Sequence, residues 1–125
     1  MEFRDKVLNY AKISPVICVG ASVESFDDAI ILESNIASKN LGIVNTINGI
    51  KAPKWFLEVK KTKNPILIIN GIDKIDKYNQ EKFYELLKYK TISNIDLPKD
   101  TKIIVLVNSL DKVSENILSL CTIIK

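Results

Sequence analysis

The sequence predicts an α/β fold, a three-layer sandwich in which a mostly parallel sheet of five strands lies between helices on both faces. Short apolar runs alternate with longer segments of helical periodicity, which is typical of βαβ units. Two of the runs, at 66–69 and 103–107, are almost continuously apolar. Such runs are expected of central strands that helices cover on both faces.

The order of the elements follows from these patterns and from the turn residues between them. Strands are predicted at 16–20, 42–45, 65–70, 102–108 and 121–124. Helices are predicted at 3–12, 26–39, 53–61, 77–89 and 112–119, with one polar loop at 94–100. A chain of 125 residues has the length of one domain, so a single domain is expected over 1–125.

The composition excludes several kinds of chemistry. The chain has no histidine, which removes Ser-His and Cys-His nucleophile pairs and the usual zinc sites. Its 18 basic residues are Arg4 and seventeen lysines. Cys18 and Cys121 both lie in apolar runs, where buried free thiols are expected. We therefore predict no catalytic residue and no metal site.

The chain is also expected to be cytoplasmic and to have no membrane contact. No run approaches the roughly 20 apolar residues that cross a bilayer. The first six residues carry mixed charges, unlike the basic start of a secretory signal.

The loop after the first strand resembles the phosphate-binding loop of the AAA+ family of ATPases. Laid on G-x-x-x-x-G-K-[ST], Gly20 matches the first glycine. Ser25 then stands for the second glycine, Phe26 for the lysine and Asp27 for the hydroxyl residue that holds magnesium. The resemblance therefore implies an ATPase fold whose Walker A motif is degenerate.

The resemblance continues at the later strands. Asn70 and Gly71 stand where AAA+ proteins carry the Walker B aspartate and glutamate, and Asp73 matches a neighbouring residue without catalytic duty. Asn108 matches the polar sensor residue, and Leu120 replaces the arginine in the Ser-Arg-Cys of clamp-loader subunits. No counterpart of the family's small helical lid domain is expected within these 125 residues. The resemblance thus implies a pseudo-ATPase without a nucleotide cofactor.

Charge argues against nucleotide binding at this loop. The stretch 20–38 contains four acidic residues and no lysine, which gives it a net charge of −4. Ser25 followed by Asp28 resembles a capping box, whose side chains would occupy the N–H groups that a phosphate needs.

Asn70, Gly71, Asp73 and Asn108 are expected to cluster at the carboxyl ends of central strands, where open α/β sheets bind ligands. A weak nucleotide site made by Gly20, Asp73 and Asn108 remains an alternative.

The stretch 51–63 has the opposite charge and raises a nucleic-acid hypothesis. It holds one acid and five lysines, Lys51, Lys54, Lys60, Lys61 and Lys63, for a net charge of +4. Binding through these lysines would be weak, driven by phosphate charge and steeply dependent on salt. The alternative is that Trp55, Phe56 and Val59 form the buried side of a helix and the lysines its solvated side.

Our leading hypothesis is a non-catalytic module that docks onto a protein partner or associates with itself. The resemblance suggests an AAA+ or DNA-replication-type ATPase as the partner class. In AAA+ assemblies neighbouring subunits pack around the nucleotide site, so Asp27, Asp28, Asn70 and Gly71 are the predicted interface residues.

Overall fold

The computed structural model describes residues 2–125. Within them the helices are α1 Phe3–Ala11, α2 Ser38–Leu41, α3 Lys54–Lys61, α4 Lys77–Gln80, α5 Tyr84–Tyr89 and α6 Glu115–Leu118. The strands are β1 Val16–Val19, β2 Ile30–Glu33, β3 Val44–Thr46, β4 Gly49–Lys51, β5 Ile66–Asn70, β6 Thr91–Ile92, β7 Ile95–Asp96, β8 Lys102–Val107 and β9 Thr122–Ile124. Short 3₁₀ turns lie at Val23–Phe26, Ile72–Lys74, Glu81–Phe83 and Leu110–Lys112.

The central sheet has five strands in the order β2-β5-β8-β1-β9, and every pair in it is parallel. The two strands with continuous apolar runs, β5 and β8, occupy inner positions and are buried along most of their length. Two antiparallel hairpins, β3-β4 and β6-β7, lie outside this sheet. The α/β prediction with a parallel five-stranded sheet is therefore confirmed.

The sheet separates two hydrophobic cores because successive side chains of a strand point to opposite faces. Ile17 of β1 belongs to a large core that also contains buried residues of α3, α5 and α6. Its neighbours Val16 and Cys18 belong to a smaller core with α1 and Phe26. Helices thus cover both faces of the sheet, as the sequence predicted.

The predicted helix at 26–39 is wrong. The chain crosses from β1 to β2 through only a 3₁₀ turn, and Ile30–Glu33 form the edge strand of the sheet. A short run of branched apolar residues fits a buried strand as well as a helix, and here pairing with β5 decides between them. The predicted capping box fails with the helix, because the Ser25 and Asp28 side chains cap nothing in this turn.

The predicted strand at 42–45 is also misplaced. Val44–Thr46 pair with Gly49–Lys51 in a hairpin and add no strand to the central sheet. Asn48 and Gly49 form an Asn-Gly dipeptide between apolar residues, which is a strong signal of a hairpin. The prediction of a helix in the preceding segment left no place for this hairpin.

The remaining elements agree with the sequence prediction at coarser detail. The helix predicted at 77–89 is divided into α4, a 3₁₀ turn and α5, and the one at 112–119 shortens to α6. The loop at 94–100 contains β7. Cys18 is buried, Cys121 is half-buried, and both are free thiols. Burial raises the pKa of Cys18 to about 11 and that of Cys121 to about 12.

No helix within residues 2–125 has the length and apolar character needed to span a membrane.

Candidate functional site

The carboxyl ends of β1, β5 and β8 lie side by side at one edge of the sheet. This edge runs across the strand ends and differs from the lateral edge that β2 forms. The N–H of Gly20 donates to the Val107 carbonyl at 2.9 Å, and the N–H of Gly71 donates to the Leu106 carbonyl at 2.9 Å. Both glycines have a left-handed φ, of 84° and 79°, which turns the chain away from the sheet at little steric cost. The prediction that the strand-end residues cluster here is confirmed.

Asp73 is the buried carboxylate of this edge. Its Oδ2 accepts hydrogen bonds from the backbone N–H groups of Asn108 at 2.9 Å and Ser109 at 3.1 Å. These two bonds fix the turn that follows β8. The other oxygen, Oδ1, is buried and has no hydrogen-bond partner among the described residues. Asp73 and Asn108 are therefore in contact, as a shared site requires, but one carboxylate oxygen already holds the backbone.

The polar groups at the end of β5 also bond to each other. The Asn70 side-chain amide donates to the Glu33 carboxylate at 3.1 Å. The Ser34 hydroxyl donates to the Gly71 carbonyl at 2.7 Å. Asn70 and Gly71 thus connect β5 to the edge strand β2.

The space at this edge does not fit a nucleotide. A cavity of about 30 Å³ lies among Asn70, Gly71, Asp73 and Asn108, which is the room of roughly one water molecule. Small-molecule sites typically span roughly 300–1,000 Å³. The loop after β1 also forms a 3₁₀ turn of four residues with Phe26 buried, so no α-helix N-terminus is available there for a phosphate.

A magnesium ion is not favoured by the side chains present. Within residues 2–125 no three cysteine, aspartate or glutamate side chains are grouped to hold a metal ion. The one buried carboxylate of the edge, Asp73, is committed through Oδ2 to two backbone groups. The residues therefore do not fit a magnesium nucleotide.

The acidic residues of the crossover pair with the single arginine. Asp28 accepts two hydrogen bonds from Arg4 on α1, at 2.7 and 3.0 Å, and Asp27 lies 3.9 Å from the same guanidinium. The bond to Arg4 holds the pKa of Asp28 below its ordinary value. The side chain of Asp27 is 92% exposed.

The predicted interface residues occupy two places. Asp27 and Asp28 precede the first residue of β2, whereas Asn70 pairs with Glu33, the last residue of that strand. The acidic pair and the strand-end pair Asn70 and Gly71 therefore lie at opposite ends of β2.

The structure also divides the predicted lysine stretch. Lys51 and Lys54 line a groove beside β2, whereas Lys60 lines a separate hollow with Lys90 and Lys99. Lys61 ends α3, and Lys63 lies in the turn that leads to β5.

One side of α3 is buried, as the alternative interpretation of that stretch predicted. Trp55, Phe56 and Val59 pack into the larger core while the lysines remain at the surface. Lys60 Nζ lies 5.8 Å from the centroid of the Phe56 ring. The solvated-side interpretation of the helix is thus confirmed.

Sequence reasoning missed the groove beside β2. It has a volume of about 620 Å³ and extends between the edge strand, the β3-β4 hairpin and the start of α3. At the hairpin tip Ile47 is fully exposed, and Ile50 is 71% exposed. The dipeptide Asn48-Gly49 is the feature of the sequence that indicates this groove. A hairpin at that position leaves the flanking isoleucines without a sheet to cover them.

Comparison with known proteins adds the fold and nothing finer. No protein-family model and no curated protein matches the chain. Among solved structures, NtrX from Brucella abortus is similar, with a TM-score of 0.61 and 12% sequence identity. The match covers 95% of this chain and 33% of the NtrX chain, so this chain spans about a third of that protein. At that identity the likeness shows a shared α/β fold alone.

Proposed function

We propose that this chain is a non-catalytic, ATPase-like module that works by docking onto a protein partner. The observation that carries the proposal is the exposed isoleucine hairpin beside an open groove at the edge of the sheet. Large apolar side chains exposed beside a groove are typical of interaction sites.

The ATPase-like part of the proposal is supported by strand order. β8, which ends before Asn108, lies between β1, which precedes Gly20, and β5, which ends at Asn70. This order places the positions that resemble the Walker A, Walker B and sensor residues at the ends of neighbouring strands. This is an argument from fold, and the partner class it suggests is an AAA+ or DNA-replication-type ATPase.

The loss of chemistry is supported by what the replaced positions do. Phe26, at the position of the phosphate-binding lysine, is buried in the smaller core. Asn70 and Gly71, at the Walker B positions, hold the end of β2 through Glu33 and Ser34. Groups that would act on a nucleotide have been replaced by groups that hold the fold together.

The docking surface consists of the outer edge of β2, the β3-β4 hairpin and the groove between them. β2 is an edge strand of the sheet, and no strand within residues 2–125 pairs with its outer side. An exposed strand edge is a template for an added strand from another chain. Ile31 of β2 lines the groove and is itself exposed, so an added strand would also find an apolar contact.

Charge indicates what kind of segment would bind there. The charged residues that line the groove are Lys39, Lys51, Lys54 and Glu33. Three lysines against one acid favour an extended apolar segment that carries acidic residues. The partner segment is therefore proposed to be acidic and apolar.

The test uses two matched variants of exposed isoleucines. Ile47→Asp alters the hairpin tip, and Ile13→Asp makes the same change at an isoleucine that is 87% exposed elsewhere. In pull-downs with quantitative mass spectrometry, a defined partner should be captured by the wild type and by Ile13→Asp. It should be lost with Ile47→Asp. Light scattering on the same proteins tests self-association.

Two results would overturn the proposal. One is a wild type that stays monomeric at high concentration and captures no partner. The other is a partner captured equally well by Ile47→Asp and the wild type.

A further inference from the structure

The edge of the sheet opposite the strand-end cavity carries lysines from several segments of the chain. A hollow of about 160 Å³ lies between the end of α1 and the end of α5. A second hollow, of about 550 Å³, lies between α5, the end of α3 and the loop before β8. We call these two hollows the amino-edge surface. Its charged lining residues are Lys12, Lys60, Lys88, Lys90, Lys99 and one acid, Asp96.

The two hollows form one surface because they share residues. Tyr89 and Lys90 line both of them. Segments far apart in the sequence thus bring five lysines and a single acid together. This charge excess is greater than the +3 of the whole chain.

Lys90 lies at the centre of this surface in a constrained position. It adopts a left-handed φ of 55° at the end of α5, a conformation that non-glycine residues seldom adopt. Its ammonium donates to the Lys99 carbonyl at 3.2 Å. Burial, and then the neighbouring charge of Lys102, lower the pKa of Lys90, whereas the carboxylate of Asp100 raises it. The left-handed turn and the bond to Lys99 thus hold the ammonium of Lys90 at the surface that both hollows share.

An aromatic ring stands among these charges. Tyr89 is 61% exposed, and Lys88 Nζ lies 5.4 Å from its ring centroid. Exposed aromatic rings within basic grooves are the platforms on which single-stranded nucleic acids stack their bases. A duplex, whose bases are already stacked on each other, gains nothing from such a ring.

We propose that the amino-edge surface binds single-stranded nucleic acid, with lysines on the phosphates and Tyr89 stacked on a base. Binding is independent of base sequence, because the chain's one arginine, Arg4, is paired with Asp28 and lysines carry the contact. The surface is separate from the docking groove and from Lys51 and Lys54, which line that groove.

The test is fluorescence anisotropy with a labelled oligothymidylate of about 20 nucleotides, longer than one typical single-strand site. The wild type should bind at roughly 50 mM salt and lose most of its affinity by 200 mM, as counterion release requires. Tyr89→Ala should weaken binding about fivefold or more without changing the salt slope. A duplex of equal length should bind more weakly than the single strand.

Two matched double variants locate the site. Lys90→Glu with Lys99→Glu, both at residues that line the amino-edge surface, should reduce affinity at least tenfold. Lys51→Glu with Lys54→Glu changes the net charge equally and should reduce it far less. If thermal melts show that the first double variant does not fold, the single variant Lys88→Glu is measured in its place. Lys88 is an exposed residue of α5.

The inference is overturned by absence of binding at low salt, by tighter binding of the duplex, or by equal losses in the two double variants. If Tyr89→Ala binds as tightly as the wild type, no base stacks on Tyr89, and the proposed preference for single strands is wrong. None of these outcomes bears on the docking proposal, which concerns another surface.

Discussion

At the scale of single residues, the chain uses charged side chains to hold its own backbone. Asp73 is the clearest case, since its carboxylate accepts from the N–H groups of Asn108 and Ser109. A buried carboxylate at the edge where α/β sheets bind ligands would by itself indicate a site. Here the geometry favours a structural role, because the cavity that Asp73 lines has room for about one water.

The ion pair between Arg4 and Asp28 gives a prediction at this scale. Both side chains are partly exposed, so Asp28→Asn should lower the free energy of unfolding by less than about 1 kcal/mol. The fold lowers the pKa of Asp28. The ion pair therefore stabilises the folded state fully above the pKa of an aspartate in the unfolded chain, about 3.9. This stabilisation is lost as the pH falls through the lower pKa that Asp28 has in the folded state.

A double-mutant cycle with Arg4→Gln measures this coupling. The two residues should couple at pH 7 and uncouple near pH 2, with the coupling reduced by added salt. Coupling that persists at acid pH would mean that the contact is packing and not an ion pair. The cycle does not change Asp27, whose side chain is exposed. Asp27 stays a predicted contact with a partner.

At the scale of elements, the crossover from β1 to β2 is the main departure from the predicted fold. A 3₁₀ turn replaces the predicted helix, and Phe26 anchors the crossover in the smaller core. Phe26→Ala should therefore lower the free energy of unfolding by about 3–5 kcal/mol, the usual cost of removing a buried phenylalanine.

The neighbouring Ser25→Ala is the matched control. Ser25 is exposed and caps no helix, so the change should stay within about 0.5 kcal/mol in urea unfolding. A loss of about 1 kcal/mol from Ser25→Ala would be the signature of a removed helix cap. That result would restore the helix that the sequence predicted.

The two central strands were predicted correctly because their environment is uniform. β5 and β8 are covered on both faces, so their residues are almost all apolar and no other element explains the pattern. β2 is an edge strand with alternating burial, and its few branched residues carry no helix-or-strand signal of their own. Its identity comes from pairing with β5, which no local pattern contains.

At the scale of the whole molecule, the proposed ATPase-like frame leaves no space for a nucleotide at the strand ends. Sequence reasoning predicted that Asn70, Gly71, Asp73 and Asn108 would cluster, because parallel strands end at a common edge. It could not predict the groove beside β2 or the amino-edge surface. Both depend on segments that only the folded chain brings together, such as Lys12 with Lys90.

This frame predicts that ATP with magnesium neither binds at millimolar concentrations nor is hydrolysed. The cavity at the strand ends is about 30 Å³, and the lysine position is a buried phenylalanine. Calorimetry should detect no binding tighter than roughly 100 μM, which corresponds to about −5.5 kcal/mol. A tighter complex would support the weak-nucleotide hypothesis based on Gly20, Asp73 and Asn108.

The variant with Gly and Lys restored at Ser25 and Phe26 should still lack turnover, because Asn70 and Gly71 remain.

Amide hydrogen exchange of the chain, measured alone and with its captured partner, shows whether the partner docks at the β2 edge and its hairpin. We expect the partner to slow exchange in β2 and in residues 44–51, with little change at the amino-edge surface. Protection confined to other parts of the chain, or no protection at saturating partner, would contradict it.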